Sequence, residues 1–353
     1  MKLLRYILLL LTLGVLLYSC SSSQQSAQSS QSNATDPQTT ERYTSSFPTK
    51  GVSQQLQDVQ QSIYRIVSTG FYISYTFDKK YITIDDVRAN DLEEISSNTY
   101  SFEESTAGSS IVLDHTNLGS LLLTCEHIVS FPDTLITYYD DPSIPEKTFI
   151  ESISIKRDQN NILHSTPDLK SFEVIAADKR SDLALLHVEH DRHQNVNLKP
   201  LRVGSGDSDD LQMGSFLYIL GFPKGYPMVT RGLASSSKNW RGRFFIADAL
   251  FNPGISGGII LATKDNFRSF QWVGTASSAT AKREDVLVPR PAQNKYSKAT
   301  LPYNDSVFVQ QKTRINYGIT QAIPINKIKE FLSSNERVIR RRGYSLRNNR
   351  LLR

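Results

Sequence analysis

Short apolar runs, rich in β-branched and aromatic residues and bounded by Gly, Pro or Asp, recur along most of the chain. This pattern predicts β-strands, and many short strands predict an all-β sandwich or barrel. Helical spacing of apolar residues occurs only at residues 52–66 and in a closing helix at 324–332. The predicted strands cover residues 64–68, 71–77, 81–84, 110–113, 121–124, 172–176, 184–188, 216–220, 244–247, 258–261, 272–276 and 317–323.

The beginning of the chain has the pattern of a targeting signal. Lys2 and Arg5 precede an apolar run at residues 7–17, which is shorter than the roughly 20 residues that span a bilayer. The run is followed by Cys20 in the order Leu-Tyr-Ser-Cys, which resembles the lipobox of bacterial lipoproteins. The resemblance implies a signal peptide at residues 1–19 and acyl chains on Cys20 that anchor the protein in a membrane. The alternative is an ordinary secretory signal in which Cys20 is incidental.

Composition divides the rest of the chain into three parts. Residues 20–50 are mainly Ser, Gln, Thr and Asn, which predicts a flexible tether. Residues 51–335 hold the predicted strands and form the folded domain, and residues 336–353 form a basic, Arg-rich tail. The formal net charge of +5 is mild. We therefore expect no nucleic-acid partner and a solvated tail, with contact to anionic lipid or nucleic acid as the alternative.

Cysteine and histidine positions limit the metal and redox chemistry of the chain. There are 2 cysteines, so lipid on Cys20 leaves Cys125 without a disulfide partner. We expect Cys125 to be a small buried hydrophobe rather than a nucleophile. His187, His190 and His193 recur at a spacing that would suit a metal if the segment were helical, but no Cys or carboxylate pattern completes a zinc site. We expect a solvated loop there, with no metal and no cofactor.

A glycine-dense turn at residues 252–258 carries Ser256 between two apolar segments. A nucleophilic serine needs an exposed hydroxyl on a tight turn, and acyl transfer needs two backbone N–H groups that point at the developing oxyanion. The N–H groups of Gly254 and Ser256 would form this oxyanion hole. Taken alone, such a turn is often only a loop.

Two strand ends could supply the base and the acid that a nucleophilic serine requires. His127 comes directly after the apolar run at residues 121–124, so a rigid element would present it. Asp182 immediately precedes the apolar residues 183–186 and could accept a hydrogen bond from the ring of His127. For Asp182 alone, a turn cap at the start of a strand is the alternative.

In chain order, His127, Asp182 and Ser256 resemble the catalytic triad of the trypsin-like clan of serine peptidases. The likeness extends over roughly residues 59–332 and is similar to the protease domain of the Deg/HtrA branch. Its motifs are residues 124–129, 182–186, 201–205, 220–223, 230–232, 248–258 and 317–324. The resemblance implies two six-stranded β-barrels with the active site in the cleft between them. It also implies an endopeptidase that cleaves protein or peptide substrates through an acyl-enzyme.

The chain departs from that branch at several points. Ile255 stands where the branch usually has Asn or Asp, and residues 140–170 and 282–312 are insertions. Few residues follow the closing helix, so we expect no PDZ domain of the kind that full-length Deg/HtrA proteins carry. Ile255 and the insertions motivate a second hypothesis, a protease-fold binding or scaffold lipoprotein with weak or no turnover.

The sequence also predicts a substrate preference and a location. By position, the S1 pocket would be lined by Leu250, Ala276, Ser277, Ser278 and Ala279. None is acidic, which favours a small or medium apolar residue at P1 over Lys or Arg. The residue after Cys20 is not the Asp that resembles an inner-membrane retention signal. A lipid-anchored position in the cell envelope is expected, at the outer membrane if the cell has two.

Overall fold

The structure is a computed structural model that describes residues 42–346, apart from 79–80, 141–142, 144, 165–168, 191–197, 237–243 and 290–306. The predicted signal peptide, Cys20 and His193 lie outside the described residues, as do most of the predicted tether and the end of the basic tail. No helix in the described part is long and apolar enough to cross a membrane.

The N-terminal half is an eight-stranded antiparallel sheet with the order β4-β5-β1-β2-β3-β8-β7, in which β6 also pairs with β5. Its strands are β1 (Ile63–Thr76), β2 (Asn98–Thr116), β3 (Gly119–Thr124), β4 (Thr134–Tyr138), β5 (Ile150–His164), β6 (Leu169–Ser171), β7 (Glu173–Asp178) and β8 (Leu183–Glu189). Its helices are α1 (Ser53–Gln60), α2 (Ile84–Ala89), α3 (Leu92–Ile95) and α4 (Glu126–Val129).

The C-terminal half is a closed six-stranded barrel with the order β10-β11-β14-β13-β12-β9. It contains β9 (Phe216–Gly221), β10 (Met228–Ser236), β11 (Phe245–Asp248), β12 (Ile259–Ala262), β13 (Gln271–Pro289) and β14 (Val307–Pro324). The helices α5 (Ile325–Ser334) and α6 (Glu336–Arg341) follow. The predicted all-β double-barrel architecture and its closing helix are confirmed. The C-terminal barrel is closed, and the N-terminal sheet forms an open half-barrel.

The central strands of the two halves share one hydrophobic core. In β3 every residue is buried, and β8 is buried up to its last residue, so both read as continuous apolar runs rather than alternating ones. The same core cluster joins Leu122 of β3 with Ile259 of β12 and Trp272 of β13. At the seam between the halves, buried apolar side chains therefore pack against one another, which holds in place the strand ends that meet there.

Two insertions proved to be extensions of the sheets. The polar stretch at residues 140–170 contains β5, which pairs with β1 from Arg65–His164 to Thr76–Ser152. The insertion at residues 282–312 prolongs the β13–β14 hairpin as far as the pair Pro289–Val307. The predicted strand at residues 81–84 is wrong, because Thr83 caps α2 and exchanges hydrogen bonds with Asp86.

Both predicted ends of the domain need correction where they fall on described residues. The predicted tether includes Tyr43, which is buried and donates from its hydroxyl to Gln271 Oε1 at 2.8 Å. The predicted solvated tail includes Ile339, Tyr344 and Leu346, which are buried in the shared core. Both segments are mainly polar or basic, so composition predicted solvated chain. A few apolar side chains in each segment nevertheless pack against the folded domain.

Candidate active site

His127 and Asp182 form a close hydrogen-bonded pair at the seam. His127 lies in α4, directly after β3, and its Nδ1 is 2.9 Å from Oδ1 and 3.0 Å from Oδ2 of Asp182. The His127 backbone N–H also donates to Oδ1, at 3.1 Å. An ionised carboxylate can only accept hydrogen bonds, so the ring proton resides on Nδ1. This leaves Nε2 with a free lone pair, on a side chain that is 41% exposed.

A tight turn between β7 and β8 presents Asp182 to the histidine. Asp178 holds the turn, because its carboxylate accepts from the backbone N–H groups of Arg180 and Ser181 and from the Ser181 hydroxyl. Asp182 itself has a φ of 56°, a left-handed conformation that Asp tolerates better than most residues. The turn therefore aims the carboxylate across the seam rather than along β8.

The environment of Asp182 favours its charged form. Burial alone would raise the pKa of its carboxyl, but the hydrogen bonds from His127, the attraction to that ring when it is protonated and the donor from Ser277 outweigh burial. The pKa of Asp182 consequently lies below its usual value. The carboxylate is thus ready to orient the imidazole and to stabilise an imidazolium.

Ser256 lies on a turn that requires glycine at the next position, residue 257. Gly257 has a φ of 82°, and a Cβ there would come within 1.9 Å of the Ser109 carbonyl oxygen. The Gly258 N–H donates to the Ile255 carbonyl at 2.8 Å, and the Gly257 N–H donates to the Ala276 carbonyl at 2.8 Å. These bonds fix the backbone of Ser256 between β12 and β13.

The Ser256 hydroxyl donates to the Ser277 carbonyl at 2.6 Å. No hydrogen bond joins this hydroxyl to His127, both residues being within the described chain. Ser277 in turn donates from its own hydroxyl to Asp182 Oδ2 at 2.6 Å. Ser277 therefore links the nucleophile candidate to the acid, a role that its predicted place in the S1 pocket did not reveal.

The turn before Ser256 leaves two backbone N–H groups available. Ile255 N–H donates to the Asn252 carbonyl at 3.1 Å, which closes a turn with Pro253 at its second position and Gly254, with a φ of 100°, at its third. These features are typical of a type II turn. The Pro253 carbonyl accepts from Lys224 N–H, so the N–H on the opposite side of that trans peptide points away from Lys224.

The N–H on the opposite side of the peptide from the Pro253 carbonyl belongs to Gly254. Neither the Gly254 N–H nor the Ser256 N–H donates to a backbone or side-chain acceptor among the described residues. Both predicted oxyanion donors are thus available for a ligand.

Ile255 is accommodated by the barrel core. Its side chain is 2% exposed and packs in a cluster with Leu217, Ile219 and Ala249. A polar residue at this position would need a buried partner, whereas Ile contributes apolar contact. The departure from the Deg/HtrA pattern is therefore compatible with an ordered loop.

Ser109 of β2 ties the N-terminal sheet to this loop. Its N–H donates to the Ser256 carbonyl at 2.7 Å, and its hydroxyl donates to the Gly254 carbonyl at 2.8 Å. The hydroxyl also accepts from Phe222 N–H at 2.8 Å, and the Ser109 carbonyl accepts from the Thr124 hydroxyl at 2.7 Å. Ser109 is fully buried. Sequence reasoning missed it, since a serine inside a strand gives no local signal.

The residues predicted to line the S1 pocket do not form one group. Ala276 and Ser277 are buried beneath Ser256, and Ser278 is half-buried with its hydroxyl 3.3 Å from Gln321 Oε1. Leu250 is 62% exposed and lines a cavity of about 350 Å³ together with Phe47 and Arg231. The side chain of Ala279 lies outside the described set.

Three further histidines, His115, His187 and His190, form contacts within the N-terminal half. His187 is buried in β8, where its Nδ1 is 2.7 Å from the Tyr344 hydroxyl, so the solvated-loop prediction is wrong for this residue. His190 and His115 both contact the buried Ser120 hydroxyl, at 3.0 and 2.9 Å. Burial lowers the pKa of all three rings, which favours neutral imidazoles in a structural role.

Cys125 directly follows β3 and is fully buried, as predicted for a small hydrophobe. Its thiol lies 3.4 Å from the Ala276 carbonyl. Burial and the nearby Asp182 carboxylate raise the pKa of the Cys125 thiol well above its usual value. The thiol is therefore protonated next to the His127–Asp182 pair and is no nucleophile in this state.

The fold and the arrangement of His127, Asp182 and Ser256 are those expected of a trypsin-like peptidase domain. Residues 108–267 match the family model of the trypsin-like peptidase domain. The resemblance to a trypsin-like peptidase domain of the Deg/HtrA branch that the sequence predicted is thus confirmed by the family model and by the DegP-like relatives.

Individual relatives match over part of their length. A probable periplasmic serine endoprotease DegP-like of Halomonas elongata is 35% identical over 102 residues, which are 27% of this chain and 20% of that protein. Protease Do-like 8, chloroplastic, of Arabidopsis thaliana is 33% identical over 117 residues, 30% of this chain and 25% of that protein. The chain thus spans a quarter or less of these two curated relatives.

Among solved structures, the HtrA-type protease AlgW with decapeptide aligns over 82% of this chain and 68% of its own, with a TM-score of 0.43 and 18% identity.

Proposed function

We propose that the protein is a serine endopeptidase in which Ser256, His127 and Asp182 act as the catalytic triad. Ser256 attacks the peptide carbonyl, His127 Nε2 takes the hydroxyl proton and returns it to the leaving amine, and Asp182 stabilises the imidazolium. Water then hydrolyses the acyl-enzyme with the same base. The observation that carries the proposal is the double contact of His127 Nδ1 with Asp182, because it fixes the tautomer in which Nε2 is basic.

The resting position of the Ser256 hydroxyl is compatible with this mechanism. Attack requires the Ser256 hydroxyl to turn from the Ser277 carbonyl toward His127, and we expect this change to be a switch between staggered rotamers. The hydrogen bond that is exchanged has a net worth of about 1 kcal/mol. We expect substrate binding in the cleft to offset this cost and to favour the rotamer of Ser256 that faces His127.

Stabilisation of the tetrahedral intermediate is assigned to the backbone N–H groups of Gly254 and Ser256. Both lack an acceptor within the described structure, and the turn that carries Gly254 is anchored by Ser109 and Lys224. Fixed donors of this kind typically contribute about 10²–10³ in kcat each. We therefore expect the oxyanion hole to be formed before substrate arrives.

Replacement of the nucleophile tests the proposal. Ser256→Ala should lose essentially all hydrolysis of a casein-type substrate, because the variant lacks the hydroxyl that forms the acyl-enzyme in this proposal. Ser215→Ala is a matched control, since Ser215 is also buried in the barrel and its hydroxyl accepts only from Gln212 N–H. Circular dichroism should show both variants folded. Substantial hydrolysis by a folded Ser256→Ala variant would overturn the assignment.

One observation favours the second candidate, a protease-fold binding or scaffold protein. In the structure the Ser256 hydroxyl is bonded to Ser277 and not to His127. If the hydroxyl kept this bond with peptide present, the fold would bind but not cleave. Peptide binding without covalent reaction at Ser256 would identify this case.

For substrates, we propose protein or peptide chains with a small or medium apolar residue at P1. Neither Leu250 nor residues 276–279 offer an acid that would pair with Lys or Arg. A cleavage-site profile on a peptide library tests this preference, and enrichment of Lys or Arg at P1 would contradict it.

For location, we propose a lipid-anchored protein of the cell envelope, at the outer membrane in a cell with two membranes. The lipobox-like sequence that ends at Cys20 supports the anchor, and the names of two relatives include the word periplasmic. Cys20→Ser should move the protein from the membrane fraction to the soluble fraction. Unchanged membrane retention would count against lipidation at this residue.

A further inference from the structure

A thiol, an imidazole and a carboxylate meet at the end of β3. The Cys125 Sγ, a ring nitrogen of His127 and a carboxylate oxygen of Asp182 all lie within 4.8 Å of one another. The proposed mechanism uses two of these groups and has no task for the thiol. We propose that Cys125, His127 and Asp182 together bind a divalent transition-metal cation, with Zn²⁺ as the best fit, and that the bound ion switches the peptidase off.

The set of donor atoms selects the kind of ion. Thiolate sulfur and imidazole nitrogen are ligands for Zn²⁺ and its neighbours, whereas Ca²⁺ and Mg²⁺ require oxygen ligands. Zinc bonds of about 2.0–2.3 Å place tetrahedral ligand atoms roughly 3.5 Å apart. Donor atoms that start no more than 4.8 Å apart reach this geometry by small side-chain movements. Three protein ligands leave a fourth position for water on the open side of His127, which is 41% exposed.

Charge balance supports a divalent ion at this position. The thiolate and the carboxylate carry two negative charges, and the neutral imidazole carries none, so a divalent cation gives a neutral complex. Such neutrality matters because Cys125 is fully buried and Asp182 is 15% exposed. The cation itself provides the positive charge that lets the thiol ionise.

Proton bookkeeping explains why the ion would stop catalysis. The metal takes the place of the proton on His127 Nδ1, and that proton moves to Nε2, while the thiol proton of Cys125 is released to solvent. An imidazole with the metal on Nδ1 and a proton on Nε2 has no lone pair to receive the Ser256 proton. Inhibition therefore follows from the tautomer and does not require the ion to block the cleft. This part of the inference rests on the proposed function, whereas metal binding does not.

Cobalt spectroscopy of the purified full chain tests metal binding without any activity. Co²⁺ added to the wild-type protein should give the near-ultraviolet charge-transfer band of a thiolate–cobalt bond, and Zn²⁺ should abolish the band by displacement. Cys125→Ser, which keeps a polar atom of similar size, should give no band. Cys125→Ala serves as a second variant in case the serine hydroxyl is poorly tolerated at a buried position. Absence of the band in the wild type, or its persistence in a folded Cys125 variant, would overturn the proposal.

Peptidase assays then test the regulatory part. The ratio of hydrolysis rates with and without Zn²⁺ is measured for each variant, so differences in basal rate cancel. The Cys125 variants should need about 100-fold more Zn²⁺ for half-inhibition, since even an outer partner of a metal ligand is worth 10–100-fold. Equal sensitivity in wild type and variants would contradict regulation through Cys125. A cobalt band in a protein without hydrolysis would instead show that the proposed function had failed and the metal site had not.

Discussion

Three hydrogen bonds connect Ser256, Ser277, Asp182 and His127 in one chain. Ser256 donates to the Ser277 carbonyl, and Ser277 donates to Asp182, which holds His127. The chain of contacts lowers the pKa of Asp182 and holds the Ser256 hydroxyl on the Ser277 carbonyl. Ser277 is thus a positioning residue for both the acid and the serine.

Ser277→Ala tests this role at the scale of one side chain. The variant loses a hydrogen bond to a charged carboxylate, worth about 1.5–3 kcal/mol, and kcat/KM should fall about tenfold. Ser215→Ala, which removes a buried hydroxyl that accepts from Gln212 N–H, is the control.

The same variant has an expected effect on acid stability. The folded-state pKa of Asp182 is lowered, so this residue stabilises the fold above its unfolded pKa of about 3.9 and loses that contribution as pH falls through the folded pKa. Without the Ser277 donor the folded pKa rises toward the unfolded value. The free energy of unfolding should therefore decrease at neutral pH and converge with wild type in acid. A constant difference across pH would contradict the coupling.

At the residue scale, the sequence was sufficient to find His127, Asp182 and Ser256 as candidates, because each stands at a strand end or a glycine turn. The roles of Ser109 and Ser277 were not predictable. Their importance comes from contacts between segments that are far apart in the chain, such as Ser109 with Gly254. Isolated serines inside strands give no periodic or motif signal.

At the scale of elements, β2 acts on the nucleophile loop through Ser109. Ser109→Ala would leave the Phe222 N–H and the Gly254 carbonyl without their partner, at a cost of about 1–3 kcal/mol in stability. With Gly254 less firmly held, kcat should fall about tenfold or more while KM changes little.

The neighbouring residue provides the control. Ser110 is also fully buried, but its hydroxyl donates to the Tyr64 carbonyl on the other side of β2. Ser110→Ala should lose stability with kcat retained. Similar kcat in the two variants would show that Ser109 contributes to folding alone.

The C-terminal segment is a second element whose role the structure changes. Ile339, Tyr344 and Leu346 are buried, and the Tyr344 hydroxyl contacts His187 Nδ1. A chain ending at Asn335 should lose roughly 5 kcal/mol of stability relative to one ending at Leu346, from three buried side chains at about 1.5–3 kcal/mol each. Thermal unfolding of the two truncated chains measures the difference. Equal melting temperatures would restore the interpretation of a solvated tail.

Elements were predictable where the apolar pattern was strong. β3, β8, β9 and β12 were found because they are buried on both faces, and the closing helix because of its amphipathic spacing. β5 was missed because its exposed positions make it polar, as were β4 and β10. The short run at residues 81–84 has the composition of a strand, but the Thr83–Asp86 capping box starts a helix there.

At the scale of the whole molecule, the site is made by the meeting of two halves. His127 and Asp182 belong to the N-terminal sheet and Ser256 to the barrel, and the shared core behind them holds the seam closed. The all-β architecture followed from the sequence. The open form of the first sheet did not, because strand order and closure depend on pairings between distant segments.

Our central proposal is that Ser256, which lies where the two halves meet, is an activated nucleophile. A fluorophosphonate probe reacts covalently with a serine only when a neighbouring base and oxyanion donors activate it. Mass spectrometry of the labelled protein should find the adduct on the peptide that contains Ser256. His127→Ala should lose the label while remaining folded. A folded wild-type protein that stays unlabelled, or a label that survives His127→Ala, would contradict the account.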